Sequence, residues 1–189
     1  DIGHVGVYEA LLAEVGPDTE VSAAVFDALQ RKSAPDLERV LEDLPKPLAH
    51  ALKSLSGLHG APDILNEAQT LLAEVPAALR ALEQVRQVVS AVSRAHPEVA
   101  IYIDLAELRG FRYHIGLVFA AYLEGVGTAV AKGGRYDNVG SVFGRERAAT
   151  GFACDLKALA AAAGTVATAT GAISAPVVDG AAAEDPDLG

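Results

Sequence analysis

The 189-residue chain carries 25 acidic against 15 basic side chains, a formal charge of −10, and 51% of its residues are hydrophobic. Such a composition supports a sizeable core. It offers no basic face to a phosphate backbone, and no apolar run reaches the ~18 residues that span a bilayer, so neither nucleic acid nor a membrane is an expected partner. A single cysteine, Cys154, excludes an internal disulfide and fits a reducing compartment, so the cytoplasm is the expected location. The chain opens on Asp1 and contains no methionine, which leads to the expectation that it is part of a longer polypeptide.

From Tyr8 to His96 the apolar residues recur at three- and four-residue spacing between Pro and Gly punctuation, the pattern of several short amphipathic helices. Gly16-Pro17 closes the first, and Thr19 to Lys32 reads as the second. Ser33, with Asp36 three positions later, caps a third that runs from Leu37 to Leu44. Pro45 and Pro47 separate it from a helix holding His50 and Leu52, which stops at Gly57–Gly60. Pro62-Asp63 opens another, and Pro76 occupies the first turn of the longest, Ala77 to about Arg94.

The texture changes at Pro97. Val99–Leu105, Phe111–Leu123, Thr128–Gly134 and Thr150–Leu156 read as strands, and Lys157–Ala163 as a helix. Short turns between strands imply an antiparallel meander, because parallel neighbours need long crossovers. The segment after 164 is Ala, Thr, Gly and Pro with a late acidic cluster, and has too few large apolar groups to fold alone. The expected organisation is a short core segment at 1–7, a helical insertion at 8–97, an antiparallel-sheet core at 98–163, and a low-complexity tail at 164–189.

Little in the chain suggests metal or nucleophilic chemistry. The five histidines are scattered, no Cys-x-x-Cys or His-x-x-x-His pair occurs, and neither a metal nor a cofactor is expected. Cys154, placed mid-strand, reads as a buried inert thiol. Gly133-Gly134 reads first as a turn or a close backbone approach at a strand end, and second as main chain opened to a flat ligand. In Arg109-Gly-Phe-Arg-Tyr-His114, strand alternation sends Arg109, Phe111 and Tyr113 to one face and Arg112 and His114 to the other, unless Gly110 introduces a bulge. A cation and a phenol beside a glycine suit an anionic planar ligand such as an amino acid. The same residues also suit a solvated sheet face.

"LRGFRYHIGLVFAAY", "AKGGRYDNVG" and "TGFACDLKAL", in this order, resemble the histidine-specific signatures and third signature motif of the class II histidyl-tRNA synthetase core. Together with "DIGHVGVYEALL" they resemble more closely the paralogues of those enzymes that serve as regulatory subunits of ATP phosphoribosyltransferase. The resemblance runs over residues 1–162. It implies an α+β fold, an antiparallel six-stranded sheet with a helical insertion, of which this chain holds the C-terminal part of the core. It also implies a histidine site formed by Arg109, Tyr113, His114, Gly133, Gly134 and Tyr136.

Three departures separate the chain from the synthetases. Ala158 stands at the position of their ATP-clamping arginine, Asp155 replaces a nearby glycine, and His114 replaces a second tyrosine. An arginine aimed at a transferring phosphate is worth roughly 10³–10⁵ in rate. The resemblance therefore implies no catalysis. It implies a histidine-binding regulatory subunit for the first step of histidine biosynthesis, paired with the catalytic subunit of ATP phosphoribosyltransferase and homodimeric at full length. The readings to be weighed against it are a catalytic-core fragment of a histidyl-tRNA synthetase and a ligand-free helical adaptor that binds a protein partner.

Overall fold

The structure is a computed structural model that describes residues 1–15, 19–108, 113–137, 144 and 147–163. They divide into two units, Asp1–Asp155 and a second that begins at Leu156, whose described element is the helix α7 (Leu156–Ala162).

The first unit opens with a strand, β1 (Ile2–His4), and continues directly into α1 (Val5–Val15). Then come α2 (Thr19–Gln30), α3 (Ala34–Leu41), α4 (Lys46–Leu55), a two-residue β2 (His59–Gly60), α5 (Ile64–Leu71) and α6 (Pro76–Ala95). Four strands follow: β3 (Ile103–Asp104), β4 (Leu117–Ala121), β5 (Ala131–Arg135) and β6 (Thr150–Cys154). The six strands form one sheet in the order β2-β3-β1-β4-β5-β6. β4, β5 and β6 make the antiparallel meander that short connections require. β1 pairs antiparallel with β4 but parallel with β3, through Ile2↔Ile103, and the whole helical segment serves as the crossover between them.

The helices bury one continuous core. Val7, Tyr8 and Leu11 of α1 are fully enclosed and meet Leu52 and Leu55 of α4, Leu82 and Val85 of α6, and Ile103 at the sheet. Burial of a Leu or Val side chain contributes about 1.5–3 kcal/mol, so this packing holds β1 centrally in the sheet. Among the described residues no helix is long and apolar enough to cross a membrane.

Polar details set the element ends. At the end of α2, Ser33 N–H donates to Ala28 O (3.0 Å) and Lys32 N–H to Leu29 O (3.0 Å), the paired bonds of a Schellman turn. Its left-handed position, which favours glycine, is held by Lys32 at φ 51°. Lys32 Nζ donates to Asp104 Oδ2 at 2.9 Å and ties the helix end to β3, and that bond holds the lysine pKa above its ordinary value. Asp104 Oδ1 accepts Ala106 N–H (3.0 Å) and turns the chain out of β3. At α3 the N-cap is Ser33 as the sequence predicts, but its hydroxyl donates to the Asp36 carboxylate (2.8 Å) rather than accepting a helix N–H.

Several expectations need correction. The predicted strand Val99–Leu105 is reduced to Ile103–Asp104, since Asp104 captures the next turn and Val99 is half exposed. The predicted strand Phe111–Leu123 begins at Leu117, with Tyr113–Gly116 in turn geometry and residues 111–112 outside those described. β1 and β2 have no counterpart among the predicted strands. Cys154 ends β6, the edge strand of the sheet, and is exposed rather than buried. The tail 164–189 lies outside the described residues.

Candidate ligand-binding site

Alternation along β5 points Lys132 and Gly134 to one face of the sheet and Ala131, Gly133 and Arg135 to the other. The register aligns Val118, Gly134 and Gly151 in one cross-strand row and Ala120, Lys132 and Ala153 in the next. Asp1 extends the second row: its nitrogen donates to Ala120 O (2.7 Å) and its carbonyl accepts Ala120 N–H (3.0 Å). That face therefore has a floor of glycines, methyl groups and one valine. Above it lies a pocket of about 490 Å³, walled by Asp1, Glu107, Tyr113, His114, Lys132 and Tyr136.

On the opposite face a cleft of about 700 Å³ runs between α6 and the sheet, lined by Gln84, Val88, Phe119 and Phe152. Its one titratable lining side chain among the described residues, Arg135, is engaged by Asp137: Nε donates to Oδ1 and Oδ2 (3.1 Å each) and Nη2 to Oδ2 (2.9 Å). The Arg135 guanidinium holds the Asp137 carboxyl below the usual carboxylate range. The first pocket, with charged and aromatic groups converging on a small-residue floor, has the make-up of a binding site.

The glycines there are dictated by close approach. A Cβ on Gly134 would stand 2.7 Å from His114 Nδ1 and 2.7 Å from Leu117 O. A Cβ on Gly151 would overlap the Tyr136 hydroxyl, and one on Gly133 would meet Phe152 Cβ at 2.6 Å and, closer still, Gly151 O. Gly134 and Gly151 are thus the seats of the His114 ring and the Tyr136 phenol. The three rings form a cluster: Tyr113 and Tyr136 centroids are 5.1 Å apart at 36°, Tyr113 and His114 5.4 Å apart and edge-on, His114 and Tyr136 6.0 Å apart. Edge-on and offset pairs hold one another by complementary ring quadrupoles. His114 Nδ1 is buried with no hydrogen-bond partner, which leaves Nε2 as the nitrogen available to a ligand.

Of the predicted site residues, Tyr113, His114, Gly133 and Tyr136 line this pocket together. Gly134 does not line it, because His114 covers it. Arg109, together with Arg112, lies outside the described residues. Tyr113 and His114 do not point to opposite faces: they sit in the turn before β4, where strand alternation does not apply, and both reach the pocket. Gly133-Gly134 lies inside β5 rather than at its end. Sequence reasoning missed Asp1, Lys132 and Glu107; the signal for the first two is the cross-strand register, whereas Glu107 follows the turn after β3.

Residues 1–159 match the histidyl-tRNA synthetase family. The chain belongs to that family. Among its relatives, the ATP phosphoribosyltransferase regulatory subunit of Ectopseudomonas mendocina is 47% identical over 160 residues, which take in 84% of this chain and 40% of that protein. The regulatory subunit of Marinobacter nauticus is 46% identical over 178 residues, 93% of this chain and 45% of that one. The chain thus spans less than half the length of these curated relatives. Among solved structures, a Bacillus halodurans protein described as an ATP phosphoribosyltransferase regulatory subunit/histidyl-tRNA synthetase superimposes with a TM-score of 0.74 at 26% identity, covering 85% of this chain and 43% of that one. A chain from the ATP phosphoribosyltransferase complex of Thermotoga maritima gives a TM-score of 0.61 at 22% identity, over 81% of this chain and 52% of its own, a likeness of fold. The class II core expected from the signatures is the fold observed.

Proposed function

We propose that the chain is the pocket-bearing part of a non-catalytic regulatory subunit of ATP phosphoribosyltransferase, and that histidine bound in the pocket lowers the activity of the catalytic subunit in the first step of histidine biosynthesis. The observation that carries this reading is the pocket itself: three rings, Tyr113, His114 and Tyr136, standing over a floor of small residues in a chain of the histidyl-tRNA synthetase family. A planar imidazole can pack against such a ring cluster, and His114 Nε2 and the two phenols offer it hydrogen-bond partners. By resemblance to the synthetases, Arg109 holds the ligand carboxylate.

By the same resemblance catalysis is absent, because Ala158 matches the position of the synthetases' ATP-clamping arginine. A methyl group stabilises no phosphoryl charge, and Asp155 repels a polyphosphate. Regulation then requires only that histidine bind two arrangements of the assembly unequally, with a coupling free energy of about 1–3 kcal/mol. The full-length protein is expected to be a cytoplasmic homodimer within the hetero-oligomer.

The test is to co-express the full-length protein with the catalytic subunit of the same host, purify the complex and titrate it with histidine. Co-purification with histidine-dependent loss of phosphoribosyl transfer supports the reading. Histidine-dependent exchange of pyrophosphate into ATP by the protein alone would make it a synthetase instead.

A further inference from the structure

Arg135 lines the cleft on the α6 side of the sheet and not the ring pocket, yet its contacts reach all three rings of that pocket from behind. Arg135 and Asp137 flank Tyr136 in sequence, and their side chains meet in a two-pronged pair, with Nε and Nη2 on the carboxylate oxygens at 2.9 to 3.1 Å. A bridge between residues two apart restrains the backbone on both sides of the residue between them, whose own side chain alternation sends to the opposite face. That residue is Tyr136, with its phenol over Gly151 in the pocket. The ladder toward β6 continues at this point: Tyr136 N–H donates to Ala149 O (2.9 Å), and Ala149 N–H donates to Asp137 Oδ1 (3.2 Å). A side-chain oxygen thus carries the pairing one bond beyond the end of β5.

The arginine stem reaches the other two rings. A Cβ on Gly116 would stand 3.2 Å from Arg135 Cδ, 3.4 Å from its Cβ and 3.6 Å from its Cγ, so the stem lies against the main chain of the turn that carries Tyr113 and His114. The same turn is tied to β5 by Ile115 N–H donating to Arg135 O (3.0 Å), and to α1 by Val5 N–H donating to Gly116 O (3.0 Å). With side chains 44% and 25% exposed, the Arg135–Asp137 pair contributes little stability as an ion pair. What a guanidinium fork on a carboxylate supplies is direction. A binding site needs its groups held to within about 0.5 Å, and side chains behind the site do that.

We propose that Arg135 and Asp137 are positioning residues that set the Tyr113–His114–Tyr136 cluster for its ligand from the opposite face of the sheet, without touching the ligand. The proposal rests on the reading of the pocket as a histidine site. Breaking the fork then weakens the ligand and leaves stability nearly unchanged.

The experiment is calorimetric titration of the full-length protein and its Arg135→Met, Asp137→Asn and doubly substituted variants with L-histidine, alongside thermal melts of each. Methionine keeps a stem over Gly116 and removes the fork. Asparagine keeps an acceptor for Ala149 N–H and removes the second carboxylate oxygen. Fluorine NMR of fluorotyrosine-labelled protein, with signals assigned by Tyr113→Phe and Tyr136→Phe, reports the rings directly. Each single variant is expected to bind histidine about three- to tenfold more weakly, to melt within about 4 °C of the wild type, and to displace the Tyr136 signal. The double variant is expected to bind no more weakly than the weaker single one, because the two side chains act as one unit. Single variants that bind histidine as tightly as the wild type overturn the proposal and leave the histidine site standing. So does a loss of affinity that comes only with a melting midpoint lowered by more than about 5 °C, which makes the pair a tie of the fold and not of the rings. A wild type that gives no heat with histidine overturns the site reading, and the proposal with it.

Discussion

Replacing Gly133 with alanine tests whether the glycine is required by the sheet or by the ligand. A new Cβ would stand 2.6 Å from Phe152 Cβ and 2.8 Å from Phe119 Cε1, with Gly151 O nearer still. Ordinary carbon contacts lie at about 3.5–4.0 Å, so something must retreat by roughly 1 Å. The Phe119 ring is free to turn, but the Gly151 carbonyl and Phe152 Cβ are fixed to the backbone of the neighbouring strand. β6 must therefore move, and the Gly133↔Phe152 and Gly134↔Gly151 pairings suffer. One or two ladder bonds at about 0.5–1.5 kcal/mol each, added to an overpacking cost of about 1–3 kcal/mol, give a loss of about 1.5–6 kcal/mol. At about 2–4 °C per kcal/mol for a chain of this length, the midpoint should fall by at least about 3 °C and by up to about 24 °C. The control is Gly127→Ala, whose Cβ meets nothing within 4 Å and whose backbone is not left-handed; it should be neutral or stabilising by up to about 1 kcal/mol. Thermal and urea denaturation followed by far-ultraviolet circular dichroism measure both. A Gly133→Ala protein that melts with the wild type but no longer binds histidine refutes the packing argument and gives the glycine to the ligand.

Three further outcomes are expected. His4 is buried, its Nδ1 accepting Gly6 N–H (3.1 Å) and its Nε2 donating to Gln84 Oε1 (3.0 Å); burial holds its pKa below the ordinary histidine value. The unfolded chain then binds the proton more readily, so the His4 contribution is fully present above about pH 6.5 and lost as pH falls from there through the folded value; His4→Phe should flatten that part of the urea-stability profile, and an unchanged slope counts against it. Asp104→Ala should cost about 1–3 kcal/mol because it orphans the buried Ala106 N–H, whereas Lys32→Met should cost under about 1 kcal/mol because Lys32 is more than half exposed; equal costs in denaturant melts would show that the ion pair, and not the turn, carries the effect. Tyr136→Phe removes a hydroxyl from above Gly151 and keeps the ring, so the melting midpoint should move by less than about 4 °C, while Tyr136→Ala should weaken histidine by about tenfold through loss of ring contact, as calorimetry would show.

Much of the helical part was legible because each helix carries its own periodicity and its own Pro or Gly boundary: Pro76 marks the start of α6 to the residue. The meander β4–β6 was legible for the same local reason. β1 was not, since Ile2–His4 spans three residues, one of them glycine, and becomes a strand only because Phe119, Val118 and Leu117 pair with it. β2 exists by the same borrowing, from Asp104 and Ile103. At the site, the aromatic residues announced themselves by type, but the assignment of Tyr113 and His114 to opposite faces assumed a strand where the chain turns. Lys132, Asp1 and Ala120 meet in one row through register alone, which no local pattern encodes.

Recognition without reaction is decided by the rate of phosphoribosyl transfer by the catalytic subunit of the same host, measured with and without the full-length protein across a histidine titration. The protein is expected to change the rate, histidine to lower it, and Tyr136→Ala to shift the response to higher histidine by the same factor by which it weakens binding. A histidine response that is the same with the wild type, with the pocket variant and with no added protein would contradict it.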